Sequence, residues 1–519
     1  MRYFNVAGPC FKDKHYMIDA ATRLHGVEQL IDMEQYFVIH AARQSGKTTF
    51  LLNMVQQLNA EGECYPLYCS LENQQGVADA KEGIPGIIYS LKDALLFSRI
   101  PNGDRFAENA NFSDYLTVVK TELTRFCISL DKPLVIFFDE ADCLSEGTLI
   151  SFLRQLRNGY NNRSTVPFVK SIALVGMCNI RDYKVHIRPD SETLGSASPF
   201  NIVAKALTLA NFTKEEIEEL YAQHTSEAGQ IFEPDAIELV WKKTQGQPWL
   251  VNAIAREVIV ELLDSDYNKP VTAELCDRAI QNIILRRDVH IDSLLERLKE
   301  PRVRRVIDPV IAGAFVDITT DDFSYTKDLG LIRVMENKRI EPANPIYAEV
   351  IVRTLNNNTQ ESLARTDEKA QMPRYLKDGK IDMDFLMRDF QQFWRKDSAI
   401  WEERYQYKEA APHLILMAFL QRVINGGGEI IREMAAETGR IDLCVMYQNQ
   451  KYPIELKIRY DSQTLAKGME QTAGYMDILG CNEGWLCIFD RSPEKSWDEK
   501  IYMTKEKIDG GKTITIVGL

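Results

Sequence analysis

The sequence predicts an α/β chain: a parallel, helix-covered sheet around a phosphate loop, then a helical segment and a winged-helix-like module, then a second, smaller α/β domain. Three observations predict it. Residues 36–49 read Tyr-Phe-Val-Ile-His-Ala-Ala-Arg-Gln-Ser-Gly-Lys-Thr-Thr, an apolar strand that runs through a Gly-Lys-Thr turn into an amphipathic helix. Residues 132–140 read Lys-Pro-Leu-Val-Ile-Phe-Phe-Asp-Glu, a near-continuous apolar strand ending in two acids. Far downstream, Asp442, Glu455 and Lys457 lie on two strand-like runs joined by the polar turn at residues 448–451.

The first motif is chemically specific. Gly46 lets backbone amides approach phosphate oxygens, Lys47 neutralises β/γ charge, Thr48 offers a hydroxyl to Mg²⁺, and the helix that starts there adds its N-terminal dipole. Gln44, Ser45, Gly46, Lys47, Thr48 and Thr49 are therefore the candidate nucleotide contacts, with ATP as the expected ligand. Ala41 stands where a first glycine is usual, so the loop must open in a conformation that tolerates a Cβ. In the second motif, Asp139 is placed to hold Mg²⁺ and Glu140 to polarise an attacking water. The string from Asp139 to Asp142, Asp-Glu-Ala-Asp, also occurs in helicases, but no second phosphate loop follows.

Composition bounds the class. With 519 residues, 45% hydrophobic and 26% charged, the chain has globular composition and room for about three domains. No apolar stretch reaches membrane-spanning length and the first residues lack a signal-peptide core, so a cytoplasmic protein without a membrane partner is expected. Ten scattered cysteines without a Cys-x-x-Cys pair fit reduced thiols. A net charge of -13 excludes a uniformly basic nucleic-acid coat and leaves local patches.

Further elements follow in order. Residues 64–71 and 171–177 read as buried strands and 112–130 as an amphipathic helix. Asn179, past the second of these strands, either reaches the γ-phosphate or simply turns the chain, and Arg181 is a neighbouring cation. Residues 214–227, 234–244 and 249–263 read as helices, the last two separated by Gln245-Gly246-Gln247-Pro248. The helical segment resembles the lid of the signal-transduction and archaeal-type branch of AAA+ ATPases, whose turn Gly-x-Pro matches Gly246-Gln247-Pro248 and brings Pro248 near the nucleotide. The opening Tyr3-Phe4-Asn5-Val6-Ala7-Gly8-Pro9, with His15-Tyr16-Met17 and Gln35-Tyr36-Phe37-Val38, is similar to bacterial AAA-like domain proteins over residues 1–355. That resemblance implies a P-loop ATPase core at 1–210, a helical lid at 211–290 and an adenine pocket built partly from residues 15–23.

Residues 291–355 resemble a winged helix, with a helix at 303–312, a hairpin around residues 336–338 and a helix at 345–355. Arg302, Arg304 and Arg305 offer a small basic patch. Without interleaved aromatics, a regulatory arm is favoured over a DNA reader. Residues 356–375 are polar and aperiodic, a linker.

The domain at 376–519 opens with apolar and aromatic residues at helical spacing over 383–394, a packing surface. Glu409 then begins a helix at 410–423, and strands follow at 429–435, 443–447 and 452–458. Alternation along the last strand puts Glu455 and Lys457 on one face, and a hairpin partner brings Asp442 beside them. Two acids and a lysine suit a metal-dependent phosphodiesterase: Asp442 and Glu455, completed by Glu409, ligate Mg²⁺ or Mn²⁺, and Lys457 orients water. The segment resembles the PD-(D/E)XK superfamily, restriction-endonuclease-like in fold, with Gln471 and Tyr475 matching the Gln-x-x-x-Tyr helix of its RecB-like branch. The combined reading is a homo-oligomerising ATPase fused to a nuclease-like domain, with DNA as substrate in defence or mobile-element biology. A signalling ATPase whose terminal domain only binds nucleic acid, and an ATP-driven translocase or helicase, stay open.

Overall fold

The computed structural model describes the whole chain except residues 20–22, 178–201, 287–288, 313–315, 337, 339, 352–371, 405–414, 418, 421–427, 437–438, 449, 459–463, 491 and 493. The chain forms two compact units, one of Met1–Arg297 with Asp317–Tyr347 and one of Leu298–Val316 with Ala348–Leu519. The stretch 291–355 thus contributes to both.

In the first unit, β1 (Tyr36–His40), β2 (Tyr65–Ser70), β3 (Leu134–Asp139), β4 (Ser171–Gly176) and β5 (Val203–Thr208) form one sheet in the order β2-β3-β4-β1-β5. Every pairing is parallel. Their apolar runs follow from burial on both faces. Along β1, Tyr36 and Val38 enter one core while Phe37 and Ile39 enter the other; along β3, Leu134, Ile136 and Phe138 oppose Val135 and Phe137. Each such side chain adds about 1.5–3 kcal/mol on full burial, so a one-residue slip of either strand is strongly disfavoured.

The helix Lys47–Glu61 begins after left-handed Gly46 and ends at left-handed Gly62, whose N–H returns to Leu58 O at 3.0 Å. A helix at 112–130 is replaced by a short 3-10 turn, Phe112–Asp114, and a helix Val118–Ile128. Asn111 caps Ser113 N at 3.2 Å and Asp114 accepts from the Thr117 hydroxyl, so local side-chain bonds turn the chain before the helix can start. The lid helices are Lys214–Ala228, opened by a Thr213/Glu216 capping box, Pro234–Thr244 and Pro248–Arg256, the last continuing as a π-helical turn over Glu257–Leu262. Ala273–Arg286 and Val289–Arg297 follow. Helix Asp321–Asp328 and the hairpin of β6 (Ile332–Val334) and β7 (Ile340–Pro342) complete the unit.

The second unit contains helix Pro301–Ala312, a small hairpin of β8 (Leu376–Lys377) and β9 (Lys380–Ile381), and helix Met383–Arg404. Its sheet comprises β10 (Gly428–Ala436), β11 (Gly439–Tyr447), β12 (Gln450–Ile458), β13 (Glu483–Phe489), β14 (Met503–Ile508) and β15 (Lys512–Gly518), ordered β10-β11-β12-β13-β15-β14. The pairs β12–β13 and β13–β15 are parallel, and helix Thr464–Leu479 makes the β12-to-β13 crossover that a parallel pair requires. Met476 of that helix packs with Leu486, Ile488, Ile514 and Ile516. The described cysteines are free thiols, and no helix among the described residues is long and apolar enough to cross a membrane.

Candidate functional site

Parallel strands deliver their carboxyl ends to one edge of the sheet, where ligands of open α/β sheets sit. In this order the loop after β1, the acids ending β3 and Gly176 at the end of β4 converge on that edge. A cavity of about 740 Å³ opens there, lined on its phosphate-loop side by Gln44, Gly46, Lys47, Thr48 and Thr49.

The loop is pre-shaped by its own bonds. Lys47 Nζ, on a residue 7% exposed, donates to Ala41 O at 2.9 Å and Ala42 O at 3.0 Å, and Ser45 Oγ donates to Ala42 O at 2.8 Å. Within the loop, left-handed backbone occurs at Gln44 (φ 57°) and Gly46 (φ 94°), not at Ala41, as the expectation of a tolerated Cβ requires. Thr49 lines the cavity but its hydroxyl accepts from Cys10 N at 3.0 Å, tying the amino-terminal arm to the loop.

Asp139, 1% exposed, is the polar centre. Its Oδ2 accepts from Thr48 Oγ1 at 2.7 Å and from Tyr68 OH at 3.1 Å, and its Oδ1 from Glu140 N at 3.0 Å. A hydroxyl and a carboxylate oxygen so close together are the hard donor pair that Mg²⁺ takes, so these residues fit that cation. Glu140 adopts a left-handed backbone (φ 53°) and lines the same cavity. Burial, with repulsion from Asp142 and Asp139, raises its carboxyl above the ordinary range. Asp142 accepts from Met177 N at 3.1 Å, linking the acidic turn to the end of β4. Asn179 and Arg181 lie outside the described residues.

The lid closes the cavity through the Gly246-Gln247-Pro248 turn. Gly246 is left-handed (φ 73°) and its carbonyl accepts from Phe212 N at 2.9 Å; a Cβ there would lie 1.9 Å from Phe212 O. Gln247 caps the next helix by accepting from Leu250 N at 2.6 Å, and Pro248 and Trp249 line the cavity. Three further residues shape the cavity, and of these only Arg23 lies in a segment, residues 15–23, that the family resemblance points to. Tyr68 matters because β2 neighbours β3, which strand order alone reveals. Arg23 donates to Ser45 O at 3.3 Å and Ala210 O at 2.9 Å beneath the Phe212 ring, where burial pushes its guanidinium down to about 10. Arg297 lines the cavity from a helix far along the chain.

With this geometry in place, comparison with known families is decisive: the AAA-like domain family matches residues 12–352. The chain belongs to that family. As an AAA-like protein it is a P-loop ATPase. Among solved structures it is similar to a Walker-type ATPase of Pyrococcus abyssi, at 14% identity and TM-score 0.45 over 67% of this chain and 99% of that one. The Thermotoga maritima RuvB Holliday junction branch migration motor matches at 14% identity and TM-score 0.34, over 63% of this chain and 91% of that one. The Aeropyrum pernix ORC1 protein in complex with DNA matches at 13% identity and TM-score 0.34, over 66% and 94%. No curated protein matches.

In the second unit of this AAA-like ATPase, Lys457 donates to Glu455 Oε1, and Glu455 is 1% exposed. Leu443 pairs with Ile454, so the next position outward on each strand is Asp442 on β11 and Glu455 on β12. Helix Thr464–Leu479 carries Gln471 and the buried Tyr475 and packs on this hairpin, with Tyr475 against Cys444. Its Gly468 lies against β13, where a Cβ would stand 2.8 Å from Leu486 Cδ1, and near the Lys457 stem, 3.4 Å from Cγ. Glu409 lies outside the described residues. Among the described residues no group of three or more His, Cys, Asp or Glu is placed to hold a metal ion.

Proposed function

We propose that the cavity of the first unit binds ATP with Mg²⁺ and hydrolyses it, and that the second unit is a metal-dependent nuclease-like domain acting on DNA. The observation that carries the first half is the Thr48–Asp139 bond beside the buried Lys47 ammonium, which joins the phosphate loop to the acidic strand end. On ATP binding, Lys47 exchanges the Ala41 and Ala42 carbonyls for β/γ-phosphate oxygens, while Gln44 through Thr49 present backbone and hydroxyl groups to the triphosphate. Bound Mg²⁺ supplies charge neutralisation between the phosphates. Glu140 accepts the proton of the attacking water, Asn179 contacts the γ-phosphate, and Pro248 packs at the lid side of the nucleotide.

The second half rests on register and burial. Asp442 and Glu455 are cross-strand neighbours, Lys457 is held by Glu455, and Glu409 completes the proposed ligand set for Mg²⁺ or Mn²⁺. The domain reading is an ATPase core at 1–210, a lid at 211–290, a winged-helix module at 291–355 acting as a regulatory arm, and a nuclease-like domain at 376–519. The setting is cytoplasmic genome defence or mobile-element biology, with homo-oligomers as the assembled form. The test is incubation of the full chain with DNA and Mn²⁺, with and without ATP. Cleavage lost in Glu455→Ala and Lys457→Ala supports the site; cleavage unchanged by both overturns it, and DNA retained intact on the protein favours a domain that binds without cutting.

A further inference from the structure

Asp139 is held from behind the cavity, by a strand that carries none of the phosphate-loop chemistry. Alternation puts Val135, Phe137 and Asp139 on one face of β3, and the parallel register sets Tyr68 of β2 beside Phe137 and Ser70 beside Asp139. Tyr68 packs against the core cluster that holds Val135, Phe137 and, from helix Lys47–Glu61, Phe50 and Leu51. Its ring therefore lies on the face that this helix covers. From there its hydroxyl reaches Asp139 Oδ2 at 3.1 Å, the same oxygen that Thr48 Oγ1 reaches at 2.7 Å. Of these three linked side chains Thr48 lines the cavity, while Tyr68 and Asp139 stand behind it.

Resting on the ATP reading of that cavity, we propose that Tyr68 is a positioning residue that sets the preference of the site for Mg²⁺ over Ca²⁺. An ionised carboxylate only accepts, so the Tyr68 phenol donates to Asp139, and the Thr48 hydroxyl gives the same oxygen its one proton. With that proton turned inward, the lone pairs of Thr48 Oγ1 are left for a cation in the cavity. The other carboxylate oxygen accepts from Glu140 N at 3.0 Å. Asp139 is thus gripped by a helix, a neighbouring strand and its own turn, and at 1% exposure any rotation would strand a buried acceptor. Its fixed carboxylate holds the Thr48 hydroxyl to one orientation. Mg²⁺ demands oxygens at about 2.0–2.1 Å in a near-octahedral array, whereas Ca²⁺ accepts about 2.3–2.6 Å and looser geometry. A fixed Thr48 oxygen therefore favours the smaller cation, and loosening it costs the larger one little.

The test measures binding of a fluorescent ATP analogue to the full chain in EDTA, in Mg²⁺ and in Ca²⁺, for wild type, Tyr68→Phe, Asp139→Ala and the double variant. Tyr68→Phe keeps the ring and removes only the hydroxyl. Its affinity in Mg²⁺ is expected to fall by about tenfold or more, as when other hydrogen-bond partners of metal ligands are lost, with a change below about threefold in Ca²⁺. Binding in EDTA, which Lys47 and the loop amides supply, should not move. If Tyr68→Phe melts early, the Mg²⁺-to-Ca²⁺ ratio read below its melting temperature still decides, because a loss of folded protein lowers binding with both cations alike. Adding Tyr68→Phe to Asp139→Ala should leave the ratio where Asp139→Ala put it; a further drop would mean that Tyr68 does not act through Asp139 and would overturn the positioning role. Wild type that binds the analogue equally well with either cation, or a ratio untouched by Tyr68→Phe, sinks this inference alone. A wild-type chain that binds no nucleotide, or binds it with no response to either cation, sinks the cavity reading itself.

Discussion

Lys47 and Glu140 divide binding from chemistry at the proposed site, and single substitutions separate them. Lys47→Ala removes the buried ammonium that the loop carbonyls hold ready, and ATP affinity is expected to fall by at least about 100-fold, by roughly 3 kcal/mol, in calorimetric titration. Glu140→Gln keeps the shape of the side chain, so affinity should persist while kcat falls by about 10²–10⁴-fold. The raised carboxyl of Glu140 sets the pH profile. A base works when ionised, so turnover is lost as pH drops through a value above the ordinary carboxylate range, and a profile flat down to that ordinary range would contradict the role. At this scale the sequence was most legible where chemistry constrains identity at fixed spacing, as in Ser45-Gly46-Lys47-Thr48 and Asp139-Glu140. It was silent on Tyr68 and Arg297, whose importance depends on which elements become neighbours, and it reached Arg23 only as the end of the segment 15–23 that the resemblance assigned to an adenine pocket.

At the scale of elements, two positive-φ glycines test how tightly the first unit is assembled. Gly330 has φ +74° and a Cβ there would stand 2.4 Å from Ala42 Cβ, whereas Gly229 has φ +73° with open space around it. Gly229→Ala should therefore cost about 1–2 kcal/mol of backbone strain, and Gly330→Ala a further 1–3 kcal/mol, roughly, for overpacking against the phosphate loop, read from denaturant midpoints. His290 offers a pH test. Burial, aided by Arg43, pushes its imidazole down to about 3, against an unfolded value near 6.5. A depressed folded value means that stability is full above about pH 6.5 and is lost as pH falls toward 3. Replacing His290 by Phe, which keeps a ring against Trp249, should flatten the fall of melting temperature between about pH 6.5 and 4. The long apolar strands β1, β3 and β4 and the helix Pro234–Thr244 were readable from periodicity. Helix Asp321–Asp328 was not, because its eight residues are mostly polar and it starts on the Thr320 cap, where Phe323 N donates to the Thr320 hydroxyl at 3.2 Å. The π-helical turn at Glu257–Leu262 likewise leaves no mark in a pattern of apolar spacing.

Across the whole molecule, each unit has its own sheet and core, so ligand and heat should act on them separately. Mg²⁺ with ATP at about 100 times its dissociation constant stabilises the unit that binds it by about 2.7 kcal/mol. In calorimetry the transition that moves should be the one abolished from moving by Lys47→Ala, while the other keeps its midpoint. The phosphate loop toward one end and the hairpin of acids toward the other were legible, and each belongs to a different sheet; the linker expected at 356–375 falls mostly on residues outside the described ones. The division of residues 291–355 between units was not legible, since it follows from long-range packing rather than local pattern.

That division has a consequence for the covalent path of the chain. Because Leu298–Val316 belongs to one unit while the residues on either side of it belong to the other, the backbone passes between them at 297/298, 316/317 and 347/348. A cut in residues 352–371 therefore severs the backbone between residues 1–351 and the six-stranded sheet, while Leu298–Val316 stays continuous with the first unit at both of its ends.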